Sequence, residues 1–332
     1  MASDMASRLF AVFFSLSQVL SGISAQIDRN GIAVQQIDHF LIAVNNLTAT
    51  TAFYSKVFNS RIKEGNPVEI YLGQALVKVF QTNSDFTPRA NSPTPGSADV
   101  CLVIRTDLTS AAQYLQAINV TVIQGRGGRP GALGTLQSIY FRDPDGNLLE
   151  VANYENEQQN ADVSRGIQVD RLDHFVITAT DQTSTINFYD QIFNVRRTNW
   201  EIFLGPQKIN VHQLGREFSP HAEPVTVGAA DICLLTTTNL ADCINFLRNL
   251  NISIEQGPVY NSGATGTIRS IYFRDPNQNL IQLANTVGNR PTTNDPQYQG
   301  NTPSTRSPAA KVCISGHTIA RFIFLIIVLS IF

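Results

Sequence analysis

Apolar and polar positions follow two rhythms between residues 34 and 288. QIDHFLIAV (36–44), EIYLG (69–73), ADVCLVI (98–104) and NLLEVAN (147–153) are short apolar or alternating runs, the mark of strands. Another short strand is expected near 76–81. Between them, TAFYSKVFNSR (51–61) sets Phe53, Tyr54 and Phe58 on one face of a helix, and SAAQYLQAI (110–118) predicts a second helix. A Gly-rich loop over 125–134 leads to SIYFRD, and the D-P-D-G at 143–146 reads as a turn before the closing strand. Residues 34–156 therefore predict a βαβββ module written twice.

The whole unit is then repeated. QIDHFLIAV returns as RLDHFVITA (171–179), EIYLG as EIFLG (201–205), and SADVCLVIRTDL (97–108) as AADICLLTTTNL (229–240). SIYFRDPDGNLLEVAN (138–153) returns as SIYFRDPNQNLIQLAN (270–285). The offset is 132 residues from Glu69 to Glu201 onward, but 135 from Asp38 to Asp173, so the first unit holds a longer loop around Lys63–Val68.

Both ends differ from this interior. Residues 8–25, RLFAVFFSLSQVLSGISA, place one basic residue before an apolar run closed by small residues, which reads as a secretory signal peptide over 1–25 rather than an anchor helix. A polar linker (289–307) precedes residues 308–332, whose tail IARFIFLIIVLSIF is shorter than a spanning helix needs. Polar spacer, small residues and a short terminal apolar run form the pattern of a glycosylphosphatidylinositol attachment signal, with Ser307 as the candidate lipid anchor site; a short tail anchor is the alternative. Asn46, Asn119 and Asn251 head Asn-x-Ser/Thr sequons and are candidate glycosylation sites on the extracellular face of the cell membrane.

Composition narrows the chemistry. The chain is 43% hydrophobic and 15% charged, so it is globular, and its net charge of −2 argues against nucleic acid as a partner. Four cysteines without a C-x-x-C pair exclude a disulfide framework and a structural zinc ribbon. Neither a phosphate-binding GxxxxGK[ST] nor a G-x-S-x-G elbow occurs. Any catalysis falls to histidines and carboxylates. Cys101 and Cys233, at equivalent positions, read as small buried core residues or as a bridge between the units, and Cys243 as helix core.

The D-H-F opening, the F-Y helix and the F-R-D-P-D-G-N-x-x-E-V ending resemble the vicinal oxygen chelate superfamily, which includes glyoxalase I, fosfomycin and bleomycin resistance proteins and extradiol dioxygenases. KINVHQLGREFSPHA in the second unit is similar to small single-domain glyoxalase-domain members. The resemblance covers roughly 34–156 and 168–288. It implies an α+β fold of two tandem vicinal oxygen chelate domains, 34–156 and 168–288, each made of two βαβββ modules.

The same resemblance implies a divalent metal, zinc, iron, manganese, nickel or cobalt, held by four strand positions. Carried over, the first unit offers His39, Phe80, Asp99 and Glu150, and the second His174, His212, Asp231 and Gln282. Neither unit alone is complete, since Phe cannot ligate and Gln brings no charge. Members of this superfamily also pair modules between partners. Crossed in that way, His174, His212, Asp99 and Glu150 form a complete two-nitrogen, two-oxygen set, while His39, Phe80, Asp231 and Gln282 form a degenerate one. Glu150 is then the candidate catalytic carboxylate. Arg142 and Arg274 are expected to brace the neighbouring Asp143 and Asp275. Glyoxalase I activity is disfavoured in a secreted protein that meets little glutathione. Extradiol cleavage is disfavoured because Asp stands where that iron triad uses His. Two readings remain: a metal-dependent enzyme acting on a small oxygenated substrate, or a cell-surface binding module that kept only the fold.

Overall fold

The computed structural model describes residues 31–287 of the 332-residue chain, so the expected signal peptide, linker, Ser307 and C-terminal signal lie outside the described residues. Alternation and helical spacing set the element order. The first module is β1 (Val34–Val44), α1 (Leu47–Phe58), β2 (Arg61–Lys63), β3 (Val68–Leu72) and β4 (Ala75–Gln81); the second is β5 (Asp99–Ile104), α2 (Leu108–Ala117), β6 (Gln124–Pro130), β7 (Thr135–Arg142) and β8 (Leu148–Tyr154). The third is β9 (Val169–Ala179), α3 (Gln182–Phe193), β10 (Glu201–Leu204) and β11 (Gln207–Gln213); the fourth is β12 (Asp231–Thr236), α4 (Leu240–Asn249), β13 (Gln256–Ser262), β14 (Thr267–Arg274) and β15 (Leu280–Thr286). Three modules keep the βαβββ pattern. In the third, the strand matching β2 shrinks to a single bridge between Arg197 and Ile202, because the connection there is shorter by the loop around Lys63–Val68.

Each helix starts on an Asx side chain that accepts backbone N–H groups left unpaired by the first turn. Asn46 accepts from Ala49, Asp107 from Thr109 and Ser110, Asp181 from Ser184, and Asn239 from Ala241. Asn59 and Asn194 end α1 and α3 in the left-handed conformation, at φ 50° and 45°, a geometry Asn tolerates better than most residues. Among the described residues no helix is long and apolar enough to cross a membrane.

The two halves do not close on themselves. An eight-stranded sheet runs β13-β14-β15-β12-β1-β4-β3-β2, and a seven-stranded sheet runs β10-β11-β9-β5-β8-β7-β6. Antiparallel pairing of β1 with β12 joins the first module to the fourth, and pairing of β5 with β9 joins the second to the third. One face of each sheet packs under the helices. Phe40, Ile42 and Val44 of β1 join Phe175, Ile177 and Ala179 of β9 in one apolar core, with the Phe40 and Phe175 rings 5.3 Å apart. Because strand side chains alternate, the intervening residues, His39 and Leu41, His174 and Val176, Asp99 and Cys101, are left for the other face.

Two hairpin glycines fit the halves together. A Cβ on Gly73 would lie 2.3 Å from the Val169 carbonyl oxygen, and one on Gly205 would lie 1.8 Å from that of Gln35. Each tight turn is thus pressed against the start of a first strand from the opposite half.

Candidate functional site

The register across three neighbouring strands builds the site. Cys101 of β5 pairs with His174 of β9 on one side and with Glu150 of β8 on the other. The three side chains therefore stand in a row, and their ligand-type atoms all lie within 4.8 Å of one another. His174 Nε2 is 3.5 Å from Glu150 Oε2. Its Nδ1 is held at 2.7 Å by Asp173. Asp173 is fixed in turn by the Ala132 N–H at 3.1 Å and by the Tyr154 hydroxyl. A histidine anchored through Nδ1 presents Nε2 in a set direction, the arrangement usual behind metal-bound histidines.

Asp99 and His212 line the same cavity of about 270 Å³ with Glu150 and His174. They are not part of the row of three whose donor atoms fall within 4.8 Å of one another. The four residues expected to share a site come from both halves of the chain, while Gln282 lies in the other sheet. The cavity also contains Arg129, Pro130, Tyr140, Trp200, Asn210 and Phe218.

Burial shapes the charges. It opposes a proton on His174, but the hydrogen bonds to Asp173 and Glu150 outweigh it and raise the pKa to about 9. Burial would raise the Glu150 carboxyl, yet His174 holds it below its ordinary value. Asp99 is pushed up to about 7, first by burial, with His174 opposing and Glu150 adding. His212 is lowered to about 4, mainly by burial, and is neutral with a free lone pair.

Glu150 Oε1 and Asn210 Oδ1 are buried without a hydrogen-bond partner. Buried polar oxygens are rarely left so, and two of them facing one cavity with two imidazoles suit a cation. The residues present fit a divalent metal: His174, His212, Asp99 and Glu150 would hold it, with the Cys101 sulfur beside His174 and Glu150.

The matching row in the other sheet is His39, Cys233 and Gln282. Asp38 again holds the histidine Nδ1, at 2.7 Å. The rest differs. Gln282 donates to the Ser270 hydroxyl at 2.7 Å, and Phe80 stacks with Phe86 at 5.4 Å where a ligand is expected. Asp231 is raised to about 8 by burial. Lys78, itself buried, donates to the Ser262 carbonyl at 2.6 Å and adds positive charge beside His39 and Asp231. This donor set does not fit a metal as the first does, since Phe80 carries no ligand atom and the Gln282 amide is spent on Ser270.

Other expected residues fall elsewhere. Cys101 and Cys233 are free and lie in different sheets, and Cys243 is in the core. Arg142 does not brace Asp143. It donates to the carbonyls of Gly146 and His221, because the Asp143 oxygens are taken up by Asp145 and Asn147. Arg274 likewise donates to the carbonyls of Gln278 and Arg89 and pairs with Glu255 at 2.9 Å. Asn46, Asn119 and Asn251 are exposed, the last two at φ 62° and 59° just after α2 and α4.

Comparison with known proteins agrees with this architecture. Residues 36–151 match the model of the Glyoxalase/Bleomycin resistance protein/Dioxygenase superfamily. The virulence protein STM3117 of Salmonella typhimurium is 41% identical over 124 residues, covering 36% of this chain and 86% of that protein. The glyoxalase domain-containing protein RDO1 of Mycosarcoma maydis is 40% identical over 144 residues, covering 42% of this chain and 78% of that one. A putative dioxygenase from Bacillus subtilis superposes over 76% of this chain and 86% of its own, with a TM-score of 0.54 at 14% identity, a likeness of fold.

Proposed function

Because the chain belongs to the glyoxalase, bleomycin resistance protein and dioxygenase superfamily, we propose that it is a metal-dependent enzyme with one working site, formed by Asp99, Glu150, His174 and His212. The observation that carries this reading is Glu150, whose Oε2 lies 3.5 Å from His174 Nε2 while its buried Oε1 has no hydrogen-bond partner. A bound divalent ion would polarise a substrate oxygen as a Lewis acid. The chain's own groups do the rest. Asp173 fixes the His174 ring. Glu150 is the carboxylate placed to take or return a proton at its free Oε1. Trp200, Phe218 and the two prolines, Pro130 and Pro220, wall the cavity against water. The substrate is a small oxygenated molecule.

The apolar segments at both ends support an extracellular protein, anchored to the membrane through its C-terminus and glycosylated at exposed Asn46, Asn119 and Asn251. Failure of phosphatidylinositol-specific phospholipase C to release it from intact cells would rule out the lipid form of the anchor.

Metal content tests the enzyme reading. Purified protein should carry about one transition-metal ion per chain, as a single set of donors would hold. Glu150→Gln should lose it and His39→Ala should keep it. A chain that takes up none of zinc, iron, manganese, nickel or cobalt would instead be a binding module with the fold alone.

A further inference from the structure

Arg129 is the one cation of the cavity wall whose charge is not spent within the described residues. Lys208, whose ammonium reaches the carbonyl of the lining residue Pro130 at 2.7 Å, is fully buried and paired with Glu201 at 2.5 Å. Arg129 has no carboxylate or carbonyl partner there; it meets only the Tyr140 ring, 5.9 Å from its guanidinium carbon. A guanidinium stays charged under all ordinary conditions and offers paired N–H groups matched to a planar anion. The equivalent position of the other half is Asn261, which is neutral and donates to the Tyr272 hydroxyl at 3.0 Å. The free cation therefore occurs at the site with the complete donor set and not at the degenerate one.

Part of the remaining wall is aromatic. Trp200 and Phe218 have ring centroids 5.7 Å apart, and the Phe218 ring lies 5.4 Å from His212. Phe218 is 58% exposed, so its ring is open to a molecule entering the cavity. The position matching Trp200 in the other half is Val68, which is buried and part of β3. With a divalent ion offset by Asp99 and Glu150, Arg129 would leave the loaded cavity with a net positive charge.

We propose that this cavity takes a small organic carboxylate, its anionic group paired with Arg129, its planar or apolar body against Trp200 and Phe218, and an oxygen turned toward Glu150 and His174. The inference rests on the metal-site reading above and names the substrate class of that site.

Trp200 is the only tryptophan in the chain, so its fluorescence reports on this cavity alone. The test titrates zinc-loaded and zinc-free protein with salicylate and with salicylamide, which share a ring and a hydroxyl but differ in charge. Salicylate should bind about tenfold tighter than salicylamide, the effect of one charge-assisted pair. Arg129→Gln should bring the two within about twofold, and Arg129→Lys should keep part of the preference, since charge remains but the planar fork is lost. Zinc uptake by each variant, measured by calorimetry with the metal alone, checks that the cavity is folded. Equal binding of the two probes by the native chain overturns the inference. So does an undiminished preference in Arg129→Gln, or no response to salicylate, benzoate or phenylacetate up to about 10 mM, a ceiling weaker than millimolar affinity. Failure of the metal reading is seen separately, as no zinc uptake by the native chain, and the zinc-free titration still decides the role of Arg129.

Discussion

His39 and His174 occupy equivalent places in the repeat, are both buried, and are both held through Nδ1 by the preceding aspartate. Their protonation is nevertheless shifted in opposite directions. Burial and then the Lys78 ammonium lower His39 to about 4, while Asp173 and Glu150 overcome burial and raise His174 to about 9. The residue facing each imidazole makes much of the difference: Glu150 for one, Gln282 for the other. Glu150→Gln should therefore bring the His174 pKa down and cut metal affinity by more than the roughly 10–100-fold that outer-sphere changes cost, read by imidazole proton NMR and calorimetry. Gln282→Glu should raise the His39 pKa in the same spectra. His39 also leaves a mark on acid stability. Its folded pKa is depressed, so its contribution is present above about 6.5 and is lost as pH falls through about 4, because the unfolded chain takes up the proton first. That loss is at most about 3 kcal/mol. His39→Gln should flatten the fall in urea midpoint over this window, and an unchanged slope would contradict a buried neutral imidazole.

At the scale of elements, most of the architecture was legible, because strand alternation and aromatic helix spacing repeat along the chain. The missing second strand of the third module follows from a shorter connection that the change in repeat offset already marks. Less was legible where function depends on register. Cys101 read as core because nothing in a linear run reveals that β5 will seat it between His174 and Glu150. Lys78 and Lys208 were invisible as a pair: they lie two positions apart in the repeat, on β4 and β11, yet their ammonium groups reach the equivalent carbonyls of Ser262 and Pro130. Only the fold brings such shifted residues to matching points. The hairpin glycines give a direct test of fit. Gly205 sits at φ 61° with the Gln35 carbonyl where a Cβ would go. Gly205→Ala should destabilise the protein by about 2 kcal/mol or more, from left-handed strain plus displacement of β1, measured by denaturant unfolding.

For the whole molecule, the crossed seams β1–β12 and β5–β9 make each half dependent on the other. Residues 31–160 and 161–287 expressed apart would each bare long first strands with unpaired backbone groups, so each should aggregate or dimerise. A homodimer of the first half would contribute His39, Phe80, Asp99 and Glu150 to every site, and one of the second half His174, His212, Asp231 and Gln282. Neither combination is a complete donor set, so zinc binding should return only when the two halves are refolded together. Zinc binding by either half alone would refute the assignment of the ligands.

The same crossing changes what a single substitution can do. In a symmetric dimer of separate chains, any replacement appears at both sites at once, so a change that harms one harms its twin. Here each codon is written into one site only. Phe80 could displace a ligand, and Gln282 could give up a charge, without touching the Glu150 side of the molecule. The joined chain has thereby turned two copies of one pocket into a pocket and its counterweight, one free to face a ligand and the other filled by its own side chains.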